Sequence, residues 1–230
     1  MKDYNMDLHM PLVEAVLAYK KENVYPLHTP GHKGGRGMEP SLKKLLGESV
    51  QVDVSLMSEL DDIHEPETYI KEAQELAANV YQSDACFWAV NGTTEAIQAM
   101  LLLACNPNDT VLIPRNAHRS VASGLILGGL KAIYLEPEFD EKFGILTQVT
   151  PEQIEEALIK HPEIKAVLIT SPNYYGIAAD TKKIAKLCHE RNIILLVDEA
   201  HGPHLGFSKK LPPSAMECGA DACAQSTHKI

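Results

Sequence analysis

From residue 84 to residue 225 the chain alternates short apolar runs with amphipathic stretches, and this alternation restricts the fold more than any other feature. Ile193-Ile194-Leu195-Leu196-Val197 is apolar at every position. A strand with one wet face alternates polar and apolar residues, so an unbroken apolar run needs cover on both faces. Residues 85–90, 110–113, 132–135, 166–170 and 222–225 read as further strands. Residues 93–104, 119–127, 151–160 and 182–191 carry helical spacing, with Pro151 in the first turn, where its missing N–H costs nothing. Residues 213–218 read as a short helix. Strand–helix alternation implies an α/β fold, a mainly parallel sheet with helices on both faces. In such sheets ligands bind beyond the carboxyl ends of the strands. Chemistry is therefore expected just after Val90, Ile113, Thr170, Val197 and Gln225.

The first third of the chain reads differently. Apolar residues at Leu8, Leu12, Val13, Val16, Leu17 and Tyr19 approach helical spacing, so 8–21 is expected to be an amphipathic helix. Residues 25–38 are rich in Gly and Pro, hence a loop, and hold His28, His32, Lys33 and Arg36. Residues 50–68 carry many acids and little periodicity, and 70–81 is helical again. The expected organisation is an N-terminal helix and loop segment over 1–50 and a large domain over 51–230.

Charge and cysteine usage narrow the classes. Lys and Arg total 21 against 31 Asp and Glu, a formal net charge of −10. Nucleic-acid binding usually shows a basic stripe, so that class is disfavoured. A cationic small-molecule substrate fits the sign, as does a plain acidic surface. No run approaches the ~20 apolar residues that span a bilayer, and residues 1–10 show no leader pattern. The five cysteines, Cys86, Cys105, Cys188, Cys218 and Cys223, include no C-x-x-C pair. They read as reduced, mostly buried thiols of a cytoplasmic protein, with no metal site.

The strand ends hold the candidate chemistry. After Val90 comes Asn91-Gly92-Thr93-Thr94-Glu95, where Gly92 allows a tight turn and Thr93 or Thr94 caps the next helix. Free N–H groups and hydroxyls at a helix start can cradle a phosphate, although the same residues also make a plain N-cap. His118, after Ile113, can stack on a flat ring or serve packing alone. Asp198 ends a fully apolar strand, where an acid is costly without a cationic partner. A protonated pyridine nitrogen would be such a partner, and small Ala200 would let a ring lie flat. After Gln225, Lys229 follows Ser226, Thr227 and His228. A Schiff-base lysine needs an electropositive or desolvated setting, which His228 would help to supply; Ser226 would add a phosphate donor. These residues together point to pyridoxal 5'-phosphate (PLP).

The chain resembles the Orn/Lys/Arg decarboxylases, fold-type I PLP enzymes of the aspartate-aminotransferase superfamily. The resemblance rests on His28-Thr29-Pro30-Gly31-His32-Lys33-Gly34-Gly35, Glu59-Leu60-Asp61-Asp62, Glu72-Ala73-Gln74 and Asn91-Gly92-Thr93-Thr94. It continues through Arg115-Asn116-Ala117-His118, Ser171-Pro172-Asn173-Tyr174-Tyr175-Gly176, Asp198-Glu199-Ala200-His201 and Ser226-Thr227-His228-Lys229. It implies that Lys229 carries PLP, that Asp198 pairs with the ring nitrogen, and that His118 and Ala200 lie on its two faces. Thr93, Thr94, Ser226 and His228 would hold the phosphate, His201 would lie near ring and substrate, and Thr170 would approach the ring hydroxyl. The implied reaction is decarboxylation of arginine first, lysine or ornithine next, toward polyamines, in a homodimer or higher homo-oligomer. The acidic segment Glu59, Asp61, Asp62 and Glu65 would either receive the substrate's cationic tail or be a solvated loop. Two departures stand out: no glycine follows Pro66, and the sequence stops one residue after Lys229, where family members continue with an antiparallel strand and a C-terminal domain. The expected large domain is therefore incomplete at its C-terminus.

Other readings use the same residues. A PLP aminotransferase or lyase would need the same cofactor set, and a fragment could be inactive without its remainder. Asp198-Glu199-Ala200-His201 also spells a helicase box, but the phosphate loop such proteins need is missing. A metal hydrolase on Asp198, His201 and His204, or on His28 and His32, is opposed by the glycines and prolines between them.

Overall fold

In the computed structural model, which describes residues 9–230, five strands form one parallel sheet. The chain divides into two compact units, one ending at Trp88 and one spanning Ala89–Ile230.

The second unit follows the alternation. Helix α4 (Thr93–Ala104) leads to β1 (Thr110–Pro114), α5 (Arg119–Gly128) and β2 (Lys131–Leu135). A small antiparallel hairpin, β3 (Phe139–Asp140) with β4 (Ile145–Leu146), comes next. Then follow α6 (Pro151–Lys160), β5 (Ile164–Thr170), α7 (Thr181–His189), β6 (Ile194–Glu199) and β7 (Ala222–Gln225). The sheet order is β2-β1-β5-β6-β7, every pairing parallel.

Alternate residues of each strand enter opposite cores, as the period of two requires. Val111, Ile113, Ala166, Leu168 and Leu196 pack with Ile97, Leu101, Val121 and Leu125 of α4 and α5. Leu112, Val167, Ile169, Leu195 and Val197 pack with Ile154, Leu158, Ile184 and Cys188 of α6 and α7. Each fully buried aliphatic side chain contributes about 1.5–3 kcal/mol, which is why these strands are apolar throughout. A methyl on Gly124 would stand 2.5 Å from Leu101 Cδ1, so glycine is what lets α4 and α5 approach. Thr150 and Gln153 form a reciprocal capping box at α6, and Asp180 caps α7.

The first unit holds α1 (Pro11–Glu22), α2 (Pro40–Leu46) and α3 (Tyr69–Tyr81). The expected helix over 8–21 begins instead at Pro11, with Met10 as its N-cap; Leu8 lies outside the described residues. The expected division near residue 50 differs from the observed one at 88/89. Helix α3 packs with α1 before it, and His9, just ahead of α1, lies 2.8 Å from Glu72 of α3. Asp61 is buried and accepts backbone N–H bonds from Asp62, Glu67, Thr68 and Ile70 at 2.9–3.0 Å. Burial alone would raise its pKa, but these four donors outweigh it and hold the carboxyl well below the usual range. Asp61 thus organises the entry into α3 and is not free for a substrate's tail.

Three local expectations need correction. Residues 85–90 form no strand, and Phe87 and Val90 are largely exposed. An apolar run becomes a strand only where a neighbour takes its backbone groups, and none does so among the described residues. Residues 213–218 form no helix; a single turn covers 215–219. Pro212 and Pro213 precede it, and Gly219 at φ +89° ends it, which leaves no room for a second turn. The N-cap of α4 is Gly92 at φ +75°, so Thr93 and Thr94 are the first helical residues rather than the cap.

Candidate active site

The carboxyl ends of the strands open into one cleft of about 510 Å³. Its position follows from the strand order: the chain leaves β1 toward β2 on one side and returns to β5 on the other. Such a switch point separates successive loops and leaves a crevice between them. All nine candidate residues line it: Thr93, Thr94, His118, Asp198, Ala200, His201, Ser226, His228 and Lys229.

Asp198 anchors the floor. It is 2% exposed and accepts one backbone N–H, that of Ala200, at 3.2 Å. Burial pushes its pKa up, and the Ala200 N–H, His118, Lys229 and His201 oppose that rise. Among the described residues it forms no ion pair, since no cation comes within 4.0 Å. A buried acid without a counter-charge is unfavourable unless a ligand completes it. Its register partner Thr170 presents a buried hydroxyl that lacks a hydrogen-bond partner among the described residues.

The other walls come from separate elements. His118 is the N-cap of α5, with Nδ1 accepting the Ser120 N–H at 3.2 Å and lying 2.8 Å from its hydroxyl. That acceptor role places the proton of a neutral imidazole on Nε2. Burial and the nearby Lys229 charge lower the pKa of His201, whose ring meets Tyr174 edge-on at 6.2 Å. Ser226 is buried, with its hydroxyl 3.1 Å from His228 Nδ1. Lys229 is exposed at the end of a 3-10 turn spanning Thr227–Lys229. The Thr93 hydroxyl donates to the Gln225 carbonyl at 3.4 Å, tying the start of α4 to the end of β7.

Two residues had no role in the sequence reading. Asn173 is buried and makes four side-chain hydrogen bonds. It donates to the Leu146 and Thr147 carbonyls and accepts from the Tyr175 and Ile177 N–H groups, which fixes the turn carrying Tyr174 and Tyr175 at the cleft. Glu199 is buried beside Asp198 but on the other face of β6, accepting from the Ala215 N–H and the Gln225 amide at 2.7 Å each. The signal for Glu199 was in the sequence: two consecutive acids on an apolar strand must occupy opposite faces, so both are buried.

The cleft fits PLP. The unpartnered Thr170 hydroxyl and the uncompensated Asp198 carboxyl offer polar contacts that no group among the described residues fills. Gly92 at positive φ leaves the start of α4 open beside Thr93, Thr94 and Ser226. The volume lies within the ordinary range for cofactor pockets. Among the described residues, no group of three His, Cys, Asp or Glu side chains is arranged to hold a metal ion. No described helix is long and apolar enough to cross a membrane.

Comparison with known proteins gives the same direction. The family described as Orn/Lys/Arg decarboxylase, major domain, matches residues 10–230. An arginine decarboxylase of Halalkalibacterium halodurans is 43% identical over 221 residues, covering 96% of this chain and 45% of that protein. One of Bacillus subtilis is 40% identical over 221 residues, with the same coverage of 96% and 45%. The chain thus spans about half the length of the curated relatives it matches. Lysine decarboxylase A from Pseudomonas aeruginosa superposes with a TM-score of 0.82 at 24% identity, over 95% of this chain and 32% of that one, a likeness of fold.

Proposed function

The chain belongs to the Orn/Lys/Arg decarboxylase family, and on that premise we propose that its cleft holds PLP and serves the decarboxylation of a basic amino acid. Arginine is the first candidate and lysine the second. The relatives at 40–43% identity are named arginine decarboxylases, and lysine decarboxylases match at 25–27%. The observation that carries the reading is the buried Asp198, without an ion-pair partner among the described residues, at the floor of a cleft that also contains Lys229.

When bound, PLP supplies an electron sink for the bond to the departing carboxylate. Asp198 would hold a proton on the ring nitrogen, the one cation its buried carboxyl lacks. His118 and Ala200 would confine the ring on its two faces, and Thr170 would donate to or accept from the ring hydroxyl. Thr93, Thr94, Ser226 and His228 would bind the phosphate, aided by the positive end of α4. Lys229 would be the amine that carries the cofactor and yields its place to the substrate amine. His201, kept neutral by burial, would sit beside the substrate without adding a like charge to a cationic ligand. A homodimeric, cytoplasmic enzyme is part of the same reading.

The test is to add PLP, reduce with borohydride and map the adduct by mass spectrometry. The expected result is a single adduct on Lys229, lost in Lys229→Ala and weakened in Asp198→Asn. Carbon dioxide release would then be compared for arginine, lysine and ornithine. A folded chain that takes no adduct on Lys229, alone or joined to the further half its relatives carry, would defeat the proposal.

A further inference from the structure

The first unit contains a second cavity, of about 300 Å³, between the end of α1 and the following Gly- and Pro-rich loop. Its walls include four cations, Lys20, Lys33, Arg36 and Lys43, and one acid, Asp53. Lys20 is already paired with Glu48 at 2.9 Å, and Asp53 is engaged by His32 at 3.0 Å. The other three cations have no carboxylate within 4.0 Å among the described residues. Lys33 donates to the His28 carbonyl, a neutral acceptor that leaves its charge uncompensated. Arg36 donates to the Asn23 side-chain oxygen at 3.0 Å and lies 4.9 Å from the Tyr25 ring centroid.

This arrangement is unusual for a chain of net charge −10. Three like charges around one cavity repel one another, and nothing in the acidic composition requires them to gather. The loop turns Lys33 into place by left-handed backbone at Lys33 (φ +52°) and Gly34 (φ +62°), while Lys43 comes from α2. A non-glycine residue adopts that conformation at a cost. Arg36 is already oriented by Asn23 and Tyr25, so its remaining N–H groups are pre-set for a forked contact, the geometry that suits an oxyanion.

We propose that this cavity binds a small, multiply charged oxyanion, phosphate or a molecule bearing a phosphate group, on Lys33, Arg36 and Lys43. All the residues that line it belong to the first unit, and the proposal does not depend on the function assigned to the cleft around Lys229.

Inorganic phosphate would be titrated into the whole chain by calorimetry at constant ionic strength. The expected result is a saturable site weakened roughly tenfold by Arg36→Gln and by Lys43→Gln, the effect of one lost charge-assisted hydrogen bond. Lys43 is exposed on α2, so its substitution should leave the fold intact, which circular dichroism checks. Ser226→Ala, in the other cleft, should leave this site unchanged. Repeating the titration with a sugar phosphate separates the two sources: tighter binding assigns a phosphorylated molecule, and equal or weaker binding the free ion. No saturable site, a site lost only in Ser226→Ala, or heats that chloride reproduces at the same ionic strength would each overturn the proposal.

Discussion

Glu199 makes a quantitative prediction about pH. It is 1% exposed, between two donors that favour its ionised form. Burial nevertheless raises its pKa from 4.5 to about 7; the Gln225 and Ala215 hydrogen bonds oppose the rise, and Glu217 adds to it. Between those two values the folded chain holds a proton that the unfolded chain has released. The associated stability is fully present below pH 4.5, declines as pH rises, and is lost above about 7. At 1.36 kcal/mol for each tenfold in proton affinity, the whole effect is about 3 kcal/mol. Urea unfolding followed by circular dichroism from pH 5 to pH 8 would measure most of it. Glu199→Gln removes the titration. It also turns an N–H toward a donor, so it should be less stable by about 1–3 kcal/mol, but with a flatter pH dependence than the wild type. Asp198, raised in the same direction by burial, contributes equally to both proteins and cancels from the comparison. Equal pH slopes in the two proteins would refute the reasoning.

Three further outcomes follow from the packing. In Gly202→Ala the new methyl would stand 2.6 Å from Glu199 Cγ and 2.7 Å from Pro172 Cδ, so a loss of about 1–3 kcal/mol is expected, read as a lower midpoint in thermal unfolding. Leu168→Ala, at a position with 0% exposure in β5, should cost about 2–5 kcal/mol in urea unfolding with an unchanged slope. Asp61→Asn replaces a carboxylate that accepts four backbone N–H groups with an amide that presents donors to them, so about 2 kcal/mol or more should be lost at neutral pH. Because the folded pKa of Asp61 is depressed below 3.8, its advantage is present above that value and fades as pH falls through the folded one. The gap between the two proteins, measured by unfolding at pH 7 and again in acid, should narrow in acid.

Several features were legible in the sequence because they depend on local pattern and burial alone. The apolar run through Leu195 and Val197 required cover on both faces, and the structure supplies α4 and α5 on one side and α6 and α7 on the other. Residues 93–104, 151–160 and 222–225 have the expected bounds. The rule that ligands lie beyond carboxyl strand ends brought Thr93, His118, Asp198 and Lys229 to one cleft, although they are spread over more than half the chain.

What the sequence could not decide are the properties that belong to pairs of distant groups. Residues 85–90 have a strand's composition but not a strand's partner, and hydrogen-bond partners are set by topology. Asp61 and Asp62 look alike in an acidic loop, yet only Asp61 is buried among converging backbone N–H groups. Glu199 resembles its neighbour Asp198 in sequence. Strand pleating sends one to the cleft and the other to the Ala215 and Gln225 donors. Periodicity records which face of an element is buried, because burial is repeated along the chain. The charge, tautomer and partner of a single side chain are fixed by what the fold places opposite it, and that is decided only when the strands take their order.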